Sequence, residues 1–226
     1  MVFSEVRVLA EFVREVIPEF GRFTTERIME AIRKRKEYPR GLNTENVLPG
    51  MDLIRYDLLY RIPVPDSGKE VSILVNIETQ SRVDPGYSLD KRSLFYLTSV
   101  FSSQKGEVFR HSDYDSLEKV YTVWVVLNPP EDLKGVIRRG RFGYEDTGPD
   151  GRRPVETDSM INSIMLFMCD EGVDNPLRVM DLLRTLLRKH DRDTIAEDVR
   201  NNFKIELNDD YIQEVSSMGE IADGFI

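Results

Sequence analysis

The sequence predicts an α/β or α+β domain in which a mixed central β-sheet is flanked by helices. Apolar residues recur at helical spacing near the start, two alternating segments at 54–62 and 71–80 follow, and a helical segment leads into an apolar strand at 118–127. The order helix, strand, strand, helix, strand is typical of such layered domains. We interpret residues 1–226 as one domain, with an N-terminal helical part at 1–50 and a C-terminal helical part at 170–226.

Two helices are predicted before the first strand. Val6, Leu9, Val13 and Val16 recur at the spacing of one helical face, and Pro18 ends the pattern. A second helix starts at the capping hydroxyls of residues 24–25 and ends before the proline at position 39. Residues 40–51, which include Pro, Gly and Asn, are predicted to form a loop.

The segments 54–62 and 71–80 alternate with the period of a strand. Asp57 lies on the face opposite to Tyr56 and Tyr60, because successive strand residues point to opposite faces. The prolines and glycine at 63–68 predict a turn, so the two strands are expected to pair as an antiparallel hairpin.

The remainder of the chain alternates between helices and strands. The run 118–127 is nearly continuous in hydrophobicity and is predicted to be a central strand covered on both faces. The other predicted elements are a helix at 89–104, a long loop or hairpin at 129–158, a strand at 161–168, a helix at 177–187, and helical stretches from Thr194 and Asp210.

Composition excludes several classes of protein. Hydrophobic residues make up 40% and charged residues 31%, which indicates a folded globular chain, and no apolar run is long enough to cross a membrane. No secretory signal opens the sequence, so a cytoplasmic protein is expected. The single cysteine, Cys169, excludes an internal disulfide and is expected to be a small buried hydrophobe. His111 and His190 are too isolated for a histidine-based metal site.

The formal net charge of −9 argues against nucleic-acid binding by overall charge alone. Local basic clusters are nevertheless present. We expect them to form either basic patches or an ordinary solvated helix end and loops. The clusters are Arg33-Lys-Arg-Lys36, then Arg138, Arg139 and Arg141, and then Arg152-Arg153.

The end of the second predicted strand carries the main functional signal. Glu78 and Gln80 are two positions apart and lie side by side on one face of the strand, and Asp57 lies on the preceding strand. Two carboxylates suit Mg²⁺, or Mn²⁺, and the carbonyl of Thr79 supplies a further oxygen. Gln80 is placed to orient an attacking water. The alternative is that these are ordinary polar residues on a half-solvated sheet face.

Arg92 and Tyr96 are four residues apart in the predicted helix that follows, so they lie on one face of it. Gln104 lies off this face and receives no role.

Together these motifs resemble the PD-(D/E)XK nuclease family transposases, relatives of the recombination-promoting nucleases. The resemblance covers most of the chain. It rests on Asp57-Leu-Leu-Tyr-Arg-Ile, Val-Asn-Ile-Glu78-Thr-Gln80, Arg92-Ser-Leu-Phe-Tyr96, Gln104, Leu117-Glu-Lys-Val-Tyr-Thr-Val-Trp, and Met218-Gly-Glu-Ile-Ala-Asp-Gly.

The resemblance implies a restriction-endonuclease-like fold and a Mg²⁺-dependent DNA endonuclease, with a link to mobile-element recombination. It makes Asp57 and Glu78 the metal-binding acids and places Gln80 where the superfamily more often has lysine. It also implies that Arg92 and Tyr96 contact a phosphate, and the alternative is an ordinary pair on the helix surface. An acid of the first helix, Glu15 or Glu19, often completes such a site, and the sequence does not choose between them. A DNA-binding or assembly module with weak or absent catalysis is the alternative, and the sequence leaves formation of a homo-oligomer open.

Overall fold

A computed structural model describes residues 2–34, 45–46, 54–55, 58–78, 88–105, 108, 111–149, 151–155, 159–188 and 191–223. Six α-helices lie in these ranges: α1 (Val6–Val16), α2 (Thr25–Arg33), α3 (Leu89–Ser103), α4 (Arg178–Arg188), α5 (Arg192–Asp198) and α6 (Asp209–Asp223). The strands are β1 (Glu45–Asn46), β2 (Ile54–Arg55), β3 (Leu58–Pro63), β4 (Glu70–Glu78), β5 (Lys119–Val126), β6 (Ile137–Arg141), β7 (Tyr144–Gly148), β8 (Gly151–Val155) and β9 (Ile161–Phe167).

The main sheet has five strands in the order β3-β4-β5-β9-β6. The hairpin β3–β4 is antiparallel, β4, β5 and β9 are parallel to one another, and β6 returns antiparallel along β9. The prediction of a mixed sheet flanked by helices is therefore confirmed, as is the predicted antiparallel hairpin.

The helices begin and end where their local chemistry predicts. The Glu5 carboxylate accepts a hydrogen bond from the Arg7 N–H at the start of α1, and the chain becomes extended at Ile17 before Pro18. The Thr24 hydroxyl accepts a hydrogen bond from the Arg27 N–H and caps α2. The Ser88 hydroxyl accepts from the Lys91 N–H and caps α3 in the same way. These caps satisfy backbone donors that the first helical turn leaves without an intrahelical partner.

Strand β5 is buried along both faces, as predicted for a central strand. Tyr121, Val123 and Val125 face a large core formed with α1, α2, α4, α5 and α6. Trp124 and Val126 face the other side, where they pack with Leu89 and Tyr96 of α3. The protein therefore has three layers, with most helices on one face of the sheet and α3 on the other.

The segment 129–158, predicted as a long loop or hairpin, contributes more regular structure than expected. Its β7 and β8 form the hairpin, but β6 joins the main sheet as an edge strand. Arg138, Arg139 and Arg141 occupy three of the five positions of β6. The segment therefore lacks the alternation of apolar and polar residues that would predict a strand. Charged side chains are typical of strands at the edge of a sheet.

The predicted loop at 40–51 also contains a short strand. Glu45 and Asn46 pair antiparallel with Arg55 and Ile54, so β1 and β2 form a separate two-stranded sheet. Only tertiary pairing defines a two-residue strand, because two residues carry no periodicity. Within the described residues, none of the helices combines the length and apolar character that crossing a bilayer requires.

Two buried tyrosines tie the N-terminus to the core. The Tyr60 hydroxyl donates to the Phe3 carbonyl at 3.3 Å, and the Tyr211 hydroxyl donates to the Val2 carbonyl at 2.6 Å. Burial raises the pKa of Tyr60 to about 12 and raises the pKa of Tyr211 as well. Both phenols therefore stay protonated in the folded protein at a pH where an unfolded chain would lose those protons.

The free energy of unfolding is expected to fall as the pH rises above about 10, the ordinary pKa of tyrosine. Because the folded pKa of Tyr60 is raised to about 12, its contribution is fully present below pH 10 and is lost between pH 10 and 12. This loss amounts to about 2–3 kcal/mol for Tyr60. Urea titrations of wild type and Tyr60→Phe across this range measure it.

At neutral pH, Tyr60→Phe is expected to cost about 1 kcal/mol, the worth of the lost hydrogen bond to Phe3. Above pH 10 its stability should fall less steeply than that of wild type. Equal slopes for the two proteins would contradict the assignment of the alkaline loss to Tyr60.

Candidate functional site

Glu78 is the last residue of β4, and its backbone pairs with Val126 near the end of the central strand β5. The predicted strand therefore extends at least to the acid that the sequence singles out. Asp57, Thr79 and Gln80, and the side chain of Glu78, lie outside the described residues. The predicted metal-binding set therefore remains a prediction.

Beside the end of β4, the structure describes an aromatic and cationic cluster on α3 and β5. Arg92 donates from Nε and Nη2 to the Tyr96 hydroxyl at 3.4 and 3.3 Å. Its guanidinium carbon lies 5.3 Å from the Tyr96 ring centroid and 5.4 Å from that of Trp124. The Tyr96 and Trp124 rings stack at 5.8 Å with an interplanar angle of 27°. We call Arg92, Tyr96 and Trp124 the arginine cluster.

The arginine cluster confirms that Arg92 and Tyr96 share one helical face, as their spacing predicts. The Trp124 backbone pairs with Asn76, two residues before Glu78 on β4. Two aromatic rings thus hold the Arg92 guanidinium level with the last residues of β4. Such cation–π contacts help to fix the position of the side chain.

Sequence reasoning did not identify Trp124 as part of this site. It is the one tryptophan of the chain, is completely buried, and has no hydrogen-bond partner for Nε1 among the described residues. The available signal was its position on the central strand, within the motif that carries the family resemblance. The helix that covers it could not be assigned to one face of the sheet from periodicity alone.

Gln104 has a structural contact rather than a place near the arginine cluster. Its amide donates to the Glu118 carbonyl at 3.0 Å, and its side-chain oxygen accepts from the Glu118 N–H at 2.8 Å. The side chain is buried and joins the end of α3 to the residue before β5. This double hydrogen bond sets the axial position of α3 over the sheet.

Neither candidate acid of the N-terminal helical part lies free for a metal in the described structure. The Glu15 carboxylate accepts from the Val179 N–H at 2.9 Å, so it caps the first turn of α4. Glu19 binds Lys119 Nζ at 2.5 Å and accepts from the Tyr121 hydroxyl at 2.8 Å. Lys119 begins β5, whereas Val126, level with Glu78, ends it. Seven residues separate these ends, about 23 Å at the rise of a parallel strand.

The basic clusters lie at different places on the surface. Lys34 follows the end of α2 and pairs with Glu30, and residues 35 and 36 lie outside the described ranges. Arg152 on β8 lies 3.6 Å from Glu145 on β7. Arg138 contacts Asp90, whereas Arg139 and Arg141 on β6 are exposed.

The single cysteine and one of the two histidines lie within the described residues. Cys169 is buried, as expected of a small hydrophobe, and His111 is exposed. His190 lies outside the described ranges. Among the described residues, no group of three or more His, Cys, Asp or Glu side chains is placed to hold a metal ion.

Comparison with known proteins adds no identification. No family model, no curated protein and no solved structure matches this chain.

Proposed function

We propose that the protein is a metal-dependent DNA endonuclease of restriction-endonuclease-like fold, acting in the cytoplasm and tied to mobile-element recombination. The observation that carries the proposal is the arginine cluster, which holds the Arg92 guanidinium level with the end of β4, the strand that ends in Glu78. A fixed guanidinium beside a predicted pair of acids is suited to a phosphodiester. The order of the sheet, in which an antiparallel hairpin leads through α3 into parallel strands, supports the fold.

The proposed donor set suits Mg²⁺ or Mn²⁺, because the carboxylates of Asp57 and Glu78 and the carbonyl of Thr79 are all hard oxygen ligands. The metal would lower the pKa of a bound water and neutralise phosphate charge. Gln80 orients the attacking water through its amide. Arg92 contacts a non-bridging phosphate oxygen, where a charge-assisted hydrogen bond is strongest.

The products follow from hydrolysis of a phosphodiester. The water oxygen forms a bond to phosphorus, the bond from phosphorus to one sugar oxygen breaks, and that oxygen leaves with a proton. The two products are an alcohol and a phosphate monoester. Glutamine carries no positive charge, so the charge that a lysine at position 80 would supply has to come from Arg92 and the metal.

A second candidate function is a DNA-binding or assembly module with weak or absent cleavage. The observation that favours it is the row of exposed arginines on β6, away from the arginine cluster. Binding of DNA without cleavage in Mg²⁺ or Mn²⁺ would select this function.

Purified protein is expected to nick supercoiled plasmid DNA in Mg²⁺ and to lose this activity in EDTA. Arg92→Gln is expected to slow nicking by about 10- to 100-fold, since a hydrogen bond to a charged group contributes about 1.5–3 kcal/mol. Arg192→Gln, at an exposed position on α5, is the matched control and should nick at the wild-type rate. Nicking that persists in EDTA would refute the metal-dependent mechanism.

A further inference from the structure

Strand β6 lies at one end of the main sheet, and one of its two edges is open. Within the described ranges, its hydrogen-bonded partner is β9 alone. The Phe142 N–H donates to the Ile161 carbonyl at 3.3 Å, and the Val136 carbonyl accepts from the Phe167 N–H at 3.0 Å. Hydrogen-bonded and non-hydrogen-bonded pairs alternate along an antiparallel ladder. The backbone groups of positions 138 and 140 therefore also point to β9.

The N–H and C=O groups of Ile137, Arg139 and Arg141 point the other way, to the open edge. The side chains of these three residues share the face of the sheet opposite to α3, where Ile137 packs against the large core. Arg139 and Arg141 are exposed, and neither forms an ion pair with another residue in the described part of the chain. One face of the edge thus carries two adjacent positive charges.

The other face of the edge, toward α3, is largely apolar. Arg138, Gly140 and Phe142 point to this side. Asp90 binds Arg138 at 2.9 and 3.1 Å, which compensates its charge. Gly140 lines, without a side chain, a groove of about 390 Å³ beside Leu94 and Phe142, which are 56% and 51% exposed. A strand added beside β6 would meet positive charge on one face and apolar surface on the other.

The charges of β6 decide which strand fits this edge. A second copy of β6 is a poor partner, because arginines of the two copies would face each other across the ladder, and like charges there are destabilising. Carboxylates opposite Arg139 and Arg141 stabilise a ladder instead. The outward N–H and C=O groups match the repeat of a peptide backbone, which a nucleic acid lacks. Charge complementarity and backbone geometry together favour an acidic strand.

We propose that β6 binds an extended acidic segment of a partner protein as a sixth strand of the main sheet. Alternate carboxylates of this segment lie beside Arg139 and Arg141, and its other side chains are apolar and cover the groove on the α3 side. Main-chain hydrogen bonds supply the affinity, and the alternating side chains supply the specificity. The proposal goes beyond the nuclease reaction and depends on neither metal binding nor cleavage.

A fluorescein-labelled peptide of eight residues, in which valine and glutamate alternate, tests the proposal by fluorescence anisotropy. Wild type is expected to bind it more tightly than the matching valine–lysine peptide, although the chain has a net charge of −9. Arg139→Gln/Arg141→Gln is expected to weaken binding by about 2- to 30-fold, the effect of losing two cross-strand charge pairs. Arg139→Glu/Arg141→Glu should reverse the preference between the two peptides. Arg192→Gln, on α5, is the control and should bind as wild type does.

Arg139→Pro and Arg139→Gln separate backbone pairing from charge. Both remove the guanidinium, but only proline removes the outward N–H, and an edge strand tolerates proline where that N–H faces solvent. Arg139→Pro is expected to bind the glutamate peptide about 2- to 10-fold more weakly than Arg139→Gln, the effect of losing one hydrogen bond. Thermal melting shows whether both variants are folded, and the charge-reversed variant tests the proposal if Arg139→Pro is not.

Equal peptide affinities of folded Arg139→Pro and Arg139→Gln would overturn the proposal. So would a preference for the glutamate peptide that persists after charge reversal, or a failure of wild type to bind that peptide. In that last case, binding of an oligothymidine that depends on Arg139 and Arg141 would show that the edge takes a nucleic acid. A dimer that dissociates in Arg139→Pro would show that it takes a second copy of the chain.

Discussion

Replacing Asp57 or Glu78 by alanine is expected to reduce Mg²⁺-dependent nicking by about 10³-fold or more. Each acid supplies one of the two carboxylates of the proposed metal site, and a catalytic metal contributes several kcal/mol of charge stabilisation in the transition state. Loss of one ligand should weaken the affinity for Mn²⁺ as well as the rate. Plasmid nicking and calorimetric titration with Mn²⁺ measure the two effects on the same preparations.

Glu70→Ala is the matched control, since Glu70 begins the strand that Glu78 ends. It removes an acid from the same strand, eight positions before Glu78, and should leave nicking and Mn²⁺ affinity unchanged. Thermal melting of all three variants shows whether the fold is retained. Cleavage that survives in folded Asp57→Ala or Glu78→Ala would disprove the assignment of the metal ligands.

Trp124→Ala is expected to give the largest loss of stability of any single alanine substitution in β5, about 3–5 kcal/mol. The side chain is fully buried between the sheet and α3, packs with Val126, Met165 and Phe167, and stacks on Tyr96. Its removal leaves a cavity that the rigid central strand cannot close. Urea unfolding followed by circular dichroism measures the loss, because the variant has no tryptophan fluorescence.

Trp124→Phe separates ring packing from the indole N–H. Since Nε1 has no hydrogen-bond partner among the described residues, loss of the N–H should cost little, and the smaller cavity left by Phe should make this variant more stable than Trp124→Ala. A cost below about 1 kcal/mol for Trp124→Ala would contradict the packing described for this face of the sheet.

Elements with a strong periodic pattern were predicted close to their observed bounds. The helix predicted at 89–104 is α3 (Leu89–Ser103), and the strand predicted at 118–127 is β5 (Lys119–Val126). Their hydrophobic patterns are enough to predict these elements, because the residues that a strand or an amphipathic helix buries recur at a fixed spacing along the chain. Strand β6 was not predicted, because arginines occupy three of its five positions and leave no alternation of apolar and polar residues.

The candidate site was predictable only in part for a related reason. The helical spacing of Arg92 and Tyr96 predicted their contact, since four residues make about one turn of helix. Their packing against Trp124, and the commitments of Glu15 to a helix cap and of Glu19 to Lys119, depend on residues 28 to 164 positions away. No local pattern encodes contacts over such separations.

By itself, the sequence determined the identity and order of the main elements, the antiparallel hairpin that leads to Glu78, and the absence of an internal disulfide, because each follows from local periodicity, turn residues or residue counts. The tertiary structure decided which face of the sheet α3 covers, that a guanidinium lies beside the end of β4, and that the edge strand β6 carries exposed arginines. These features come from packing and ion pairing between distant segments, whose energies depend on three-dimensional position rather than on neighbours along the chain.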